Sequence, residues 1–381
     1  MDNITHSLFG ATLARTPLGR AGRGTTAALV LASNAPDIDI VATAGGSLKY
    51  LEWHRGPTHG PLGIVGLGLV TAALVYGARA LIDRRRTSGA THPRNNASFV
   101  QLAAISTLGV LFHVLMDLPT SYGTHLLSPF DWHWYAFDWM PIIDIYLLGA
   151  LATGLVIGQR WSGLRQRNAV IVLMFMLGNY GARLIAHERA IALAPRVFGP
   201  ALPGRCDGSP ERGLLDRWPL PSVVLPDSSA RCLLEIAALP DFGSPFRWRL
   251  VARLSNSYLV RDVDVLDARL RDAPSANDAP WRLTTTYPNH WTPQAFEAAK
   301  TAPAQAFLGF SRLPAVRWVV DPHGVTTVSW RDLRFAAPPG VRRVSPRLEP
   351  DRERPAPNLF GATVRIDSSG EILDARLGAG N

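Results

Sequence analysis

Charge is scarce in the first half of this chain. Residues 1–195 hold 10 Asp and Glu and 15 Lys and Arg, against 20 and 24 in residues 196–381. An apolar, charge-poor half of that length excludes both a single water-soluble domain and a disordered chain. Lysine is almost missing, with Lys49 and Lys300 set against 37 arginines, which reports genome composition more than function. The net charge of +9 divides into +5 and +4 between the halves, so no basic tail or stripe marks a nucleic-acid binder. No basic n-region precedes an apolar h-region at the start, so no cleaved signal peptide is expected. Also missing are a Walker loop, a G-x-S-x-G elbow, an H-E-x-x-H helix and a G-x-G-x-x-G turn after a strand. The basic triad and P-S-G-H step of lipid phosphatases are absent too. No internal repeat is found, which counts against the common transporter architectures.

What the first half does have is long apolar runs. Residues 61–82 carry one charge, Arg79, and residues 99–118 are apolar until His113 and Asp117. Residues 140–159 and 168–186 are also long enough to cross a hydrocarbon core, which needs about 20 residues. A fifth run, 24–44, is apolar as far as Ala35 and then meets Asp37 and Asp39, while residues 2–14 make at most a short amphipathic helix. The expected fold class is therefore an α-helical multi-pass membrane domain over 1–192, followed by a β-rich soluble domain over 193–381. Arg15, Arg20 and Arg23, then Arg84, Arg85, Arg86 and Arg94, then Arg160, Arg165 and Arg167 mark three loops as cytoplasmic by the positive-inside rule. The loops around 45–60 and 120–139 then face outward, and the second, with FDWHWYAFDWMP and no Lys or Arg, reads as an interfacial aromatic belt.

Eight of the ten histidines fall in this apolar half, where polar groups cost most. His113 and Asp117 lie four apart, on one helix face, and ionisable groups within a span are functional by default. Asp37 and Asp39, His54 and His59 in the next outer loop, and His113 and Asp117 all reach the outer level. Histidine with carboxylate suits zinc first, with manganese and iron as the other candidates, and the number of groups allows one or two ions. Asp39 is a candidate general base, and Arg55 a candidate grip for an anionic substrate group.

The structural alternatives stay open. Asp37-x-Asp39 after Pro36 can cap a helix, and His54 and His59 can be watered loop residues. His113 and Asp117 can make a helix–helix hydrogen bond. His6, nine residues before Arg15, falls nearer mid-membrane. His133 among tryptophans reads as interfacial, Asp131 and Asp138 as solvated acids, and His187 as a residue snorkelling at the end of the last span. His92, in a basic loop, is given no role; His125 and Asp144 lie among the outer-level polar groups.

MDNITHSLFG at the start, APDID at 35–39, HRGPTHG at 54–60 and HVLMDLPTSYGTHLLSPF at 113–130 resemble the YdjM/YbcI-type family of bacterial inner-membrane predicted metal-dependent hydrolases, over roughly residues 1–190. The resemblance implies His6, Asp37, Asp39, His54, His59, His113 and Asp117 as metal-site positions, and it raises His6 above its standing by position. It names no substrate.

The second half has no span. Alternating runs at 246–254, 258–266, 317–321, 325–333, 362–367 and 371–377 read as strands, with DPHG (321–324) and DSSG (367–370) as hairpin turns. Pro-rich stretches at 195–226 and 338–357 join and interrupt them. Cys206 and Cys232 can form a disulfide in an oxidising compartment or remain as two buried thiols. His290 and His323 read as surface or turn residues.

Together these readings give a metal-dependent hydrolase of an ester or phosphoester, with a lipid-linked substrate suggested by depth, at the outer face of the bacterial inner membrane. Its C-terminal domain is expected in the periplasm, and its partners are the lipid bilayer and the substrate, not nucleic acid. The alternatives are a transporter or ion-binding membrane protein, or a scaffold with a structural metal.

Overall fold

The computed structural model describes residues 1–85, 95–199, 202–207, 213, 215–219, 231–270, 284–336 and 360–378. His92, Arg86, Arg94 and the whole Pro-rich stretch 338–357 lie outside the described residues. Seven helices build the first half: α1 (Asn3–Leu13), α2 (Thr25–Ala32), α3 (Gly46–Trp53), α4 (Pro61–Arg85), α5 (Phe99–Asp117), α6 (Ile145–Arg160) and α7 (Arg165–Phe198). Among the described residues α4, α5 and the segment Ser162–Phe198 are long and apolar enough to cross a membrane. The bent pair made by α2 and Ala35–Trp53 would be a fourth if it acts as one span.

Local chemistry explains where these helices start and stop. Ser98 caps α5, and Gln101 returns the bond to the Ser98 N–H, the reciprocal arrangement that satisfies two free donors at a helix start. The run 24–44 is α-helical only to Ala32. Pro36 has no N–H to continue the ladder, so the chain turns at Ser33 and Asn34 and goes on as a 3-10 segment, Ala35–Gly45, bent by 44°. The run 140–159 is helical only from Ile145, because Asp144 caps it by accepting the Leu147 N–H at 2.8 Å. That leaves α6 with 16 residues, shorter than α4 or α5. The helix at the start is no surface amphipath. Its His6, Phe9, Gly10 and Leu13 are buried within the bundle. A side chain at Gly10 would meet the Leu29 carbonyl oxygen at 2.9 Å, so glycine is what lets α1 lie directly on α2.

The last span outruns its expected end at 186. With 34 residues, α7 is about 51 Å long, well beyond the roughly 30 Å of a hydrocarbon core. Ala190, Ala194, Val197 and Phe198 on its far end pack with Leu233, Trp248, Leu250 and Ala252 of the strand-rich part. His187 therefore does not snorkel. It is buried against Trp248, ring centroids 5.4 Å apart, and its Nδ1 lies 3.1 Å from Glu188.

The second half forms two antiparallel four-stranded sheets. One runs β3 (Leu233–Pro240), β4 (Arg247–Leu254), β5 (Ser257–Asp264), β6 (Thr285–Pro288). The other has the order β10-β9-β8-β7, with β7 (Pro314–Val320), β8 (Thr326–Asp332), β9 (Gly361–Ile366) and β10 (Ile372–Leu377). Both expected hairpin turns are present, with Gly324 and Gly370 at φ 78° and 93°, where glycine alone is unstrained. Helices α8 (Pro293–Ala298) and α9 (Ala302–Phe310) cover the second sheet through Ala295, Ala304 and Phe307. Cys206 and Cys232 are joined as a disulfide with Cα atoms 4.9 Å apart.

Besides the packing of α7, contacts of the loop before α6 tie the halves together. The short strand β1 (Trp134–Ala136) in the loop between α5 and α6 pairs with β2 (Asp216–Trp218), and the indoles of Trp134 and Trp218 stack at 6.1 Å. Asp138, expected as a solvated acid, is fully buried and ion-paired with Arg312. The correction has a plain cause: its partner is 174 residues away in sequence and invisible to a local reading. Asp131, by contrast, stays partly exposed, bonded to the Tyr135 hydroxyl at 2.6 Å and to His133. His290 and His323 are exposed.

Candidate metal centre

Four ligand-type side chains converge where α5, the 3-10 segment and the loop before α4 meet. These are Asp37, His59, His113 and Asp117, each offering an atom within 4.8 Å of the others. His113 and Asp117 project from one face of the last turns of α5. The bend after α2 supplies the next element. Because the helix stops there, the Ser33 carbonyl lacks an intrahelical partner, and it lies 2.8 Å from His113 Nδ1. That bond places the proton on Nδ1 and turns the Nε2 lone pair toward the cluster, the usual orienting role of an outer hydrogen bond on a ligating imidazole. The 3-10 segment then carries Asp37 to the same point.

The spacing fits a bound ion. His113 Nε2 is 3.3 Å from His59 Nε2, 3.4 Å from Asp117 Oδ2 and 3.5 Å from Asp37 Oδ1. His59 Nε2 is 3.5 Å from Asp117 Oδ2 and 3.9 Å from Asp37 Oδ1. Nitrogen and oxygen ligands about 2.0–2.1 Å from a tetrahedral ion stand about 3.3 Å apart, close to four of these five separations. The donor set points the same way. Two carboxylate oxygens and two imidazole nitrogens face one another, and His113 turns its Nε2 lone pair, not an N–H, toward the others. Asp37 Oδ2, also buried, has no hydrogen-bond partner, and an unsatisfied buried acceptor is costly. The cluster can hold a metal ion.

Around the four stands a second ring of side chains. Asp39 Oδ2 accepts the Arg55 N–H at 2.6 Å, and its Oδ1 lies 3.3 Å from His54 Nδ1. Asp39 is also 3.8 Å from His59 Nδ1, which has the Thr58 hydroxyl at 3.0 Å. Arg55 sits at φ 53°, a strained conformation for a non-glycine residue, and its guanidinium is buried, with contacts through its two terminal nitrogens and none at Nε. It meets Asp117 Oδ2 at 3.1 Å and the Gly123 carbonyl at 3.1 Å, and lies 4.7 Å over the Tyr122 ring. His6 reaches Asp117 Oδ1 at 3.3 Å and stacks on His113, ring centroids 3.8 Å apart. The Met1 nitrogen contacts the same oxygen. Burial, followed by the neighbouring His113 and Arg55, holds the His59 ring well below its ordinary pKa, so it is neutral, the form that ligates metal.

Of the residues expected from sequence, the structure thus gathers Asp37, His59, His113 and Asp117 at one point. It sets His6 and Arg55 directly on Asp117, and it places Asp39 and His54 one contact further out. The Ser33 carbonyl, Thr58 and Tyr122 were not foreseen. A signal existed for Ser33, a polar residue at the end of an apolar run just before Asn34-Ala35-Pro36. Three of the four converging side chains are fully buried; Asp37 is 14% exposed and forms the open side of the cluster.

Comparison with known proteins gives the context. The chain is 29% identical over 203 residues to the uncharacterized protein YfhP of Bacillus subtilis (strain 168), an alignment covering 50% of this chain and 55% of that protein. The chain thus spans about half the length of this relative. No solved structure matches. The profile of the YdjM inner membrane protein family matches residues 1–190, the stretch that contains every residue of the cluster and its surrounding ring. With its apolar helices and this match, the chain belongs, through residues 1–190, to the YdjM inner membrane protein family.

Proposed function

We propose that this protein is a membrane-embedded, metal-dependent hydrolase of an ester or phosphoester, with its cluster toward the outer face of the inner membrane and its strand-rich half in the periplasm. The observation that carries the reading is the convergence of two imidazole nitrogens and two carboxylate oxygens around one point, with surrounding groups in contact with His59, His113 and Asp117. The donor set favours zinc, with manganese or iron as alternatives. When bound, such an ion lowers the pKa of a coordinated water toward neutrality and polarises an ester or phosphoryl oxygen.

The chain's own residues have separate tasks in this proposal. Asp37 is the one partly exposed member of the four, and its buried, partnerless Oδ2 is free to take a proton from a water admitted to the cluster. Arg55 and His6 fix the two oxygens of Asp117, and Asp39 orients His59 and the Arg55 backbone. Asp39 and Arg55 are thus positioning residues. The orientation follows from the arginine-rich loops. A lipid-linked ester is the favoured substrate because the cluster lies at the end of a membrane-crossing helix.

The test is elemental analysis of the detergent-purified protein beside a His113→Ala/Asp117→Ala variant, followed by hydrolysis assays on phospholipids and simple phosphoesters. Stoichiometric zinc, manganese or iron that is lost in the variant, with metal-dependent turnover, supports the proposal. No metal after reconstitution with each ion would sink it. Bound metal that exchanges no water and supports no turnover favours the structural alternative, since four protein ligands can close a tetrahedral site.

A further inference from the structure

A cleft of about 590 Å³ opens at the opposite end of α1 from the cluster. His6 and Arg15 are nine residues apart, so the two features are separated by about 14 Å along that helix. The cleft lies between the turn after α1, the start of α2, and the α6–α7 connection. Arg15, Arg20 and Arg165 line it, together with Thr26, Gln159 and Ser162.

Its charge is one-sided, with Arg15 half-buried and Arg20 and Arg165 exposed. The lining contains three arginines and no Asp or Glu. The hydrogen bonds of these arginines go to neutral acceptors: Arg15 to the Leu155 carbonyl at 2.6 Å, Arg165 to the Gly158 carbonyl at 3.3 Å, and Arg20 to the Gln166 side chain. Burial, and then the charge of Arg165, lowers the pKa of Arg15, a like-charge proximity that nothing in the cleft offsets. Holding guanidinium groups together without an anion is unfavourable. Their planar forks suit phosphate oxygens, and basic pockets between helices on the cytoplasmic side of a membrane are known seats for anionic headgroups.

The level of the cleft identifies the source of the phosphate. Trp161, which ends α6 between the lining residues Gln159 and Ser162, is 57% exposed, and tryptophan in such a position marks headgroup depth. The volume exceeds what a bare phosphate needs and has room for a phosphodiester with its glycerol. We propose that this cleft is a binding site for the phosphate headgroup of an anionic phospholipid in the leaflet at the arginine-rich end of the bundle. The site is independent of the hydrolase reading.

The experiment measures lipid retention by native mass spectrometry, and thermal unfolding of the full chain in a neutral detergent, with phosphatidylglycerol, phosphatidylcholine or inorganic phosphate added. Two variants are compared: Arg20→Gln/Arg165→Gln, and Gly163→Glu. At Gly163 an added Cβ meets nothing within 4 Å, so the second variant introduces a negative charge beside the cleft without a clash. The expected result is retention of phosphatidylglycerol over phosphatidylcholine, weakened about thirtyfold in the double variant, taking roughly 1 kcal/mol per arginine, and weakened also by Gly163→Glu. If inorganic phosphate displaces the lipid or alone raises the unfolding temperature, the site is a phosphate site open to water. That outcome upholds the phosphate chemistry and overturns the lipid source. Retention of phosphatidylglycerol that neither variant changes, or no preference over phosphatidylcholine, overturns the site itself. Should the double variant misfold, Gly163→Glu alone decides.

Discussion

Two buried clusters of ionisable groups flank the loop 120–140, and cations reach them in different ways. In one, the cation is a side chain. Arg312 pairs with Asp138, lies 3.3 Å from Asp216 and 3.9 Å from Glu235, and sits over the Trp218 ring. Burial opposes its charge, but Asp138, Asp216 and Glu235 outweigh burial and raise its pKa. In the other, two aspartates and two histidines turn acceptors toward a common point. The neighbouring Arg55 reaches only one of the four, at the edge. Acids that each meet a guanidinium make a fastening, whereas here Arg55 and the Met1 nitrogen contact Asp117, and Asp37, His59 and His113 face it and one another, which leaves room for an ion. The same residue types serve both, so burial of charge alone does not mark a site.

The contrast can be broken experimentally, and the largest effect belongs to the ligands. His113→Ala should lower metal affinity by about a hundredfold or more, beyond the loss typical of outer residues, as read by elemental analysis after dialysis. The Asp138–Arg312 pair should keep the protein folded in that variant. Arg312→Ala should cost about 3–5 kcal/mol, because it strands a buried carboxylate, measured as a lower unfolding temperature in detergent. Metal per folded molecule should stay at the wild-type level, and a pair of apolar replacements at Asp138 and Arg312 should recover most of the stability. If Arg312→Ala instead abolished metal binding in folded protein, the two clusters would be one functional unit and the distinction drawn above would fail.

Asp39→Asn sharpens the comparison from within. It keeps the shape but weakens the carboxylate that orients His59 and the Arg55 backbone, and should reduce metal affinity about tenfold to hundredfold with little change in stability. His125 gives the smallest effect. Burial, the largest influence, depresses its pKa from 6.5 to about 4, against opposing contacts with the His133 and Trp132 backbone and Asp131. The unfolded chain therefore takes up this proton first. The contribution of neutral His125 is fully present above about pH 6.5 and is lost as the pH falls toward about 4. At pH 5 the loss should be about 1–2 kcal/mol, and a His125→Gln variant should show a shallower decline of unfolding temperature between pH 7 and 5. Equal slopes in the two proteins would remove His125 from the account.

Much of this was legible in the sequence where the governing interactions are local. The apolar runs of α4, α5 and α7 and the i, i+4 pair His113/Asp117 follow from helical spacing, and the two hairpins follow from Gly324 and Gly370. Local reading ended where the partner is distant. Asp138 looks solvated until Arg312 is placed beside it. His187 looks terminal until the helix is seen to continue under Trp248. The strand β3, LLEIAALP, lacks clean alternation because residues on both of its faces are covered. At the metal centre, the side chains could be nominated by type and level, but not their division into four that converge and others that support. That division depends on the turn at Ser33 and on the 3-10 path of Asp37, which a reading of 24–44 as one continuous helix misses.

The attachment of the loop 120–140 also bears on how the molecule is made. Asp138 needs Arg312, and the Ser121 and Tyr122 carbonyls accept from Arg334, while the Tyr122 ring packs on Arg55 beside Asp117. All the ligands have been synthesised by residue 117, yet the loop that braces them is completed only some two hundred residues later. During synthesis the growing protein therefore carries Asp138 without its counter-ion, and the Ser121 and Tyr122 carbonyls without their donor, until Arg312 and Arg334 have been added. Cutting the chain after α7 would freeze that immature stage and would not isolate a self-sufficient membrane half.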